Sequence, residues 1–96
     1  MDNKKKIKTV KNKLKEFEKL TVPTQNRLYR KRIRLEKHIQ LLQEGVGVKA
    51  VTNGFIVNGE FFIGAVNNRW RAMGKNKWYY YSNIKEFVRK YVRNEA

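Results

Sequence analysis

The first 44 residues contain no glycine, while all six glycines of the 96-residue chain lie between positions 45 and 74. A glycine-free stretch broken by one proline, Pro23, is free to be helical, whereas the frequent glycines after it demand turns. The aromatic residues follow the same partition: Phe17 and Tyr29 precede Gly45, and the other ten follow it. The expectation is an α+β fold. An N-terminal helical hairpin occupies 1–44; a three- to four-stranded antiparallel meander and a C-terminal helix packed on the sheet occupy 45–96. Neither part has enough apolar residues to bury a core alone, so 1–96 reads as a single domain.

Within the first part, Ile7, Val10, Leu14 and Phe17 recur at steps of three and four and share one helical face, with lysines over most of the rest. Thr21-Val22-Pro23-Thr24 interrupts this pattern, and a threonine cap with proline in the first turn restarts a helix. The second helix is expected from about Thr24 to Glu44, ending at Gly45, a natural left-handed cap. Leu28, Leu35, Ile39 and Leu42 form its main apolar stripe, and Tyr29 and Ile33 a second. One stripe meets the first helix. The other meets the sheet or a partner chain, which leaves a homodimer open.

In the second part, Phe55-Ile56-Val57, Asn58-Gly59 and Glu60-Phe61-Phe62-Ile63 spell a hairpin, because Asn-Gly supplies the two positive φ angles of a type I′ turn. Further strands are expected at Arg69–Ala72 and Lys77–Tyr81, with turns at Asn67-Asn68 and Met73-Gly74-Lys75-Asn76; a short strand in front, over residues 46–52, is left open because Gly47 interrupts its pattern. Asn83 and Glu86 are spaced as a capping box at the start of the last helix, whose apolar stripe is Ile84, Phe87, Val88, Tyr91 and Val92.

Twenty-three Lys and Arg against eight acids leave a formal net charge of +15. Such an excess selects polyanionic partners: DNA or RNA, or alternatively an acidic protein or nucleoprotein complex. Other classes fall away. There is no cysteine, one histidine and one aspartate, so thiol chemistry, metal sites and His-based catalysis lack their residues. Phosphate-cradling Gly-rich loops are also missing. We expect no enzyme, no metal and no cofactor. No apolar run reaches the roughly 20 residues that span a bilayer, and the Lys-rich N-terminus lacks the apolar core of a signal peptide. The expectation is therefore a protein without membrane attachment that stays in the cytoplasm, in a bacterial or phage-infected cell.

Two groups of cations are ordered. Arg27, Arg30, Arg34 and Lys37 recur at steps of three, four and three along the second helix, and only Glu36 and Glu44 offset them there. On the sheet, alternation sets Arg69 and Arg71 opposite Trp70 and Ala72, and Lys77, Tyr79 and Tyr81 opposite Trp78 and Tyr80. Packing Trp70, Trp78 and Tyr80 against the last helix leaves a face of Arg69, Arg71, Lys77, Tyr79 and Tyr81, with Lys75 at the connecting turn. Cations interleaved with rings suit nucleic acid, since cations meet phosphates and rings stack on bases. Each group has an ordinary alternative: a solvated helix face for the first, a face buried under the helical hairpin for the second.

Residues 60–93, with Arg69-Trp70-Arg71-Ala72 in the middle strand and a closing helix, resemble three-stranded DNA-binding domains of the integrase-arm and ethylene-response-factor type. The resemblance implies a helix backing the sheet, a sheet entering the major groove, and Arg69, Arg71, Lys75 and Lys77 on the DNA face. The chain lacks that family's Gly-Phe-like step before the helix and its Ala-rich helix. In overall style the Lys/Asn/Tyr-rich sequence resembles small accessory proteins of phages and mobile elements. The leading expectation is a non-catalytic nucleic-acid-binding protein using the sheet face and the helix stripe. The alternative is a phage-type inhibitor, an anti-CRISPR or other anti-host-defence protein, docking its cationic surface on an acidic host target.

Overall fold

The Lys-rich stretch forms α1 (Asn3–Glu18), with Val10 and Phe17 buried as its spacing predicts. The computed structural model describes residues 3–64, 71–74 and 77–93. The expected turn at Asn67-Asn68, and Arg69, Trp70 and Lys75 of the expected site, lie outside these residues. Asn3 Nδ2 donates to the carbonyls of Leu42 (3.2 Å) and Val46 (3.4 Å). The start of α1 is thereby held at the end of the third helix, which makes the pair antiparallel.

The restart after Thr21 comes earlier than expected and in two pieces, α2 (Val22–Arg27) and α3 (Tyr29–Gln43). Leu28 separates them at φ −105° and ψ 25°. Gln25 Nε2 donates to the carbonyls of Glu18 (3.0 Å) and Leu20 (2.8 Å), tying α2 back to the end of α1 instead of letting it run straight into α3. At the other end Gly45 (φ 75°) closes α3 in the left-handed region, as its position predicts. The Glu44 carbonyl there accepts a hydrogen bond from the Arg93 guanidinium, a cation at a helix C-terminus.

Five strands follow in a purely antiparallel meander: β1 (Val48–Val51), β2 (Gly54–Val57), β3 (Phe61–Gly64), β4 (Arg71–Met73) and β5 (Trp78–Tyr80). This is one more than the expected maximum, because the segment after Gly47 does pair, Val48 with Val57 through Val51 with Gly54. Asn58 (φ 52°) and Gly59 (φ 69°) make the expected tight turn. Val57 pairs with Phe61, so Glu60 stands outside the ladder instead of beginning β3. The last helix starts as α4 (Ile84–Phe87) and widens directly into a π-helical segment (Val88–Val92), closed by Arg93 N–H donating to the Val88 carbonyl (2.8 Å). Asn83 Oδ1 accepts from the Glu86 N–H (2.8 Å). The return arm of the expected box goes one residue further back, from Ser82 to the Glu86 carboxylate.

Helices cover one face of the sheet. Phe55, Val57, Phe61, Ile63 and Ala72 are buried there beneath Leu41 of α3 and Ile84, Phe87 and Val88 of the last helix. A second cluster lies between α1 and α3, where Val10 and Phe17 meet Leu35, Ile39 and Leu42, with Ile7 and Leu14 at its margin. Leu41 and Leu42, adjacent in sequence, thus serve different clusters, and α3 joins the two layers. Tyr29, expected in the second stripe, is half exposed instead, and Leu28 at the helix break is also exposed.

Candidate functional site

The β4–β5 register fixes which side chains share a face. Arg71 pairs with Tyr80, Ala72 with Tyr79, and Met73 with Trp78. Directly opposed residues of an antiparallel pair point the same way, so Ala72 and Tyr79 face one side while Arg71, Met73, Trp78 and Tyr80 face the other. The alternation expected from the sequence holds on both strands, and β4 turns the expected side inward, Ala72 in and Arg71 out; on β5 the buried side is inverted. The Tyr79 ring packs against Phe61 (5.4 Å between centroids) and Tyr91 (4.8 Å), and Tyr81, 6% exposed, packs on Phe87 (4.8 Å). Burial raises the Tyr81 hydroxyl's pKa well above the usual tyrosine value, leaving it neutral at any physiological pH. The two tyrosines assigned to the open face are therefore inside, under the last helix and not under the helical hairpin. The reason is shape: Tyr91 and Phe87 offer ring surfaces that Tyr79 and Tyr81 meet at tilts of 59° and 39°.

What the inversion leaves outside is a continuous outer face. Trp78 is 44% exposed, Met73 44% and Tyr80 63%. Ile56 and Phe62 of β2 and β3 sit half-buried on the same side, and Lys49 of β1 is exposed there. Phe62 lies across Gly54: a Cβ built on Gly54 would stand 2.8 Å from the Phe62 ring and 2.3 Å from the Ile63 carbonyl oxygen. The missing side chain lets the ring lie flat on the sheet. The Arg71 guanidinium sits 4.6 Å from the centre of the Trp78 ring, and its Nε has no hydrogen-bond partner among the described residues. No described strand residue on this face is acidic. Lys77, at the margin, is exposed with its ammonium 5.1 Å from the Tyr79 ring centre.

The helix stripe fares differently. Arg27, Arg30 and Arg34 are exposed, but Arg27 belongs to α2 and the others to α3, so the break at Leu28 interrupts the row. Lys37 leaves the stripe altogether. It is 5% exposed and its Nζ donates to the Gly64 carbonyl at 2.9 Å, holding the end of β3 to α3. Desolvation lowers its pKa. A buried lysine holding a backbone carbonyl is a structural clamp, and its position one turn before Leu41, on the side of α3 that meets the sheet, decides that. Glu36 pairs along its own helix with Arg32 (3.0 Å) and does not neutralise the stripe.

Trp78, Tyr80, Met73 and Phe62 were not among the residues expected at the site. The signal for Trp78 and Tyr80 was their shared parity with Arg71 across the strand pair, which only the register reveals. Among the described residues no cluster of His, Asp or Glu could hold a metal ion, and no helix is long and apolar enough to cross a membrane. Compared with protein-family models, curated proteins and solved structures, the chain has no match.

Proposed function

We propose that this protein binds single-stranded nucleic acid, without catalysis, on the outer face of its sheet. The observation that carries the reading is the exposure of Trp78 and Tyr80 beside Arg71 on a face that no described helix covers. Large exposed rings are costly to leave in water and mark an interaction surface. Unpaired bases stack on such rings whatever their identity, and cations beside them take the phosphates. The resemblance to major-groove readers implies a face led by arginines. Here rings dominate the described part of the face, which suits bases that can leave a stack better than the walls of a duplex. The net charge of +15 supplies sequence-independent attraction and a steep salt dependence, with a slope of about −0.7 per phosphate contacted on a single strand.

Fluorescence anisotropy with labelled oligo-dT, oligo-rU and a duplex tests this. The single strands bind more tightly than the duplex at equal salt. A Trp78→Ala/Tyr80→Ala variant loses at least roughly 30-fold in affinity, since each of the two stacked bases contributes about 1–3 kcal/mol, and it keeps the salt slope because no cation has gone. Wild-type affinity in that double variant refutes the proposal.

A further inference from the structure

On the opposite side of the molecule α1 stands away from the sheet. Ala50 points to the helix-covered face of β1, yet it is exposed, because α1 leaves a trench beside that strand. Two cavities of about 330 and 610 Å³ make up the trench and share Lys13, His38 and Ala50. Lys5, Thr9 and Lys13 of α1 line one wall; further along, Lys31 and Arg34 of α3 stand at the mouth, over a floor that includes Phe17 and Phe55. Among the described residues Glu16 is the one acid along it.

The other wall is a free strand edge. Among the described residues β1 has a strand neighbour on one side only. The Asn58 N–H donates to the Gly47 carbonyl (2.9 Å) immediately before the Val48–Val57 pair. Alternation along an antiparallel ladder then turns the N–H and C=O groups of Lys49 and Val51 towards β2, and those of Val48 and Ala50 towards the trench. A row of main-chain donors and acceptors facing a row of lysines is a recognition surface for an extended chain.

We infer that the trench between α1 and β1 receives an acidic extended segment of a partner protein, which adds to the edge of β1 and sets its carboxylates against Lys5 and Lys13. Main-chain hydrogen bonds supply the pairing, and the lysines supply the choice of partner. They repel a second copy of this +15 chain, so the open edge does not lead to self-association. The apolar floor at Phe17 and Phe55 favours a peptide over a phosphodiester backbone, because a peptide alternates apolar side chains with acidic ones on opposite faces of the strand.

His38 is the chain's one histidine and lies in the trench with its ring 5.0 Å from that of Phe55, so its resonance reports occupancy without ambiguity. The groups facing it are Lys6 and Lys13 from α1 and Arg34 from its own helix, with Glu16 further along. The test is an NMR titration with a short capped peptide of alternating Glu and Val, and in parallel with oligo-dT. The peptide moves the His38 imidazole and the Val48 and Ala50 amides saturably and raises the His38 pKa, because carboxylates now offset the lysines. Lys13→Glu and Ala50→Pro each weaken binding about tenfold, the first by charge reversal and the second by deleting an edge N–H that bonds nothing in β2. Trp78→Ala leaves peptide binding unchanged, so failure here is distinguishable from failure on the sheet. If Ala50→Pro does not fold, exchange of the Ala50 amide decides instead, slowed on peptide binding if a strand is added. No saturable shift, an unaffected Lys13→Glu variant, or oligo-dT moving the same resonances and displacing the peptide overturns the inference.

Discussion

Replacing Tyr81 and Tyr80 separately by alanine distinguishes the two sides of the sheet using neighbouring residues. Tyr81 is 6% exposed and packs on Phe87, whose own side chain is fully buried. Truncating a buried aromatic costs about 3–5 kcal/mol in lost burial and cavity formation. A domain of this length has a total stability of about 5–14 kcal/mol, so Tyr81→Ala removes between about a fifth and all of it. At about 4–8 °C per kcal/mol the melting midpoint falls by at least roughly 12 °C. Tyr80 is 63% exposed, and its backbone carbonyl, which accepts from the Tyr91 hydroxyl (3.3 Å), survives truncation. Tyr80→Ala therefore changes stability by less than about 1 kcal/mol, while weakening single-strand binding by roughly 5–150-fold. Thermal melts by circular dichroism and anisotropy with oligo-dT read the two effects. A stable Tyr81→Ala protein beside a destabilised Tyr80→Ala protein would refute the assignment of faces.

Two further perturbations probe the sheet and the trench. Gly54→Ala drives a methyl into the Ile63 carbonyl and the Phe62 ring and destabilises by about 1–3 kcal/mol, while Gly59→Ala meets open space and costs roughly 1–2 kcal/mol through its left-handed backbone; urea midpoints fall in both, and only Gly54→Ala moves the Phe62 ring resonances. His38 has its pKa lowered from 6.5, first by desolvation and then by Lys13 and Lys6. The unfolded chain therefore takes up this proton more readily than the folded one, and the stabilisation present above pH 6.5 is lost as pH falls through the folded pKa. Comparing His38→Gln with wild type at pH 7.5 and 5.5 isolates the contribution: the wild type loses more stability on acidification, and a smaller loss than in the variant contradicts the sign.

What the sequence makes legible here is whatever one residue type alone can satisfy. Asn58-Gly59 and Gly45 occupy positive φ, and Asn83 caps the last helix, because few other residues do so cheaply. Strand parity is equally readable, since Arg71 and Ala72 must point apart. The buried side was not, because both parities of β5 carry aromatic rings: Trp78 and Tyr80 against Tyr79 and Tyr81. Hydrophobicity alone does not rank these pairs, and the tertiary contacts with Phe87 and Tyr91 decide. The break at Leu28 has neither glycine nor proline to announce it and depends on Gln25 reaching back to α1. Lys37 looked like one more member of a solvated row, and only the meeting of α3 with Gly64 turns it inward.

If the proposed function holds, the exposed rings of the outer sheet face, and not the helix arginines, contact nucleic acid. Amide and indole NMR spectra recorded during titration with a short single-stranded oligonucleotide at physiological salt distinguish the two surfaces. The Trp78 indole N–H and the amides of Arg71, Met73 and Tyr80 are expected to shift most, with Arg27, Arg30 and Arg34 moving little once salt screens diffuse attraction. Largest shifts along Arg27–Arg34, with the Trp78 indole unmoved, would contradict it.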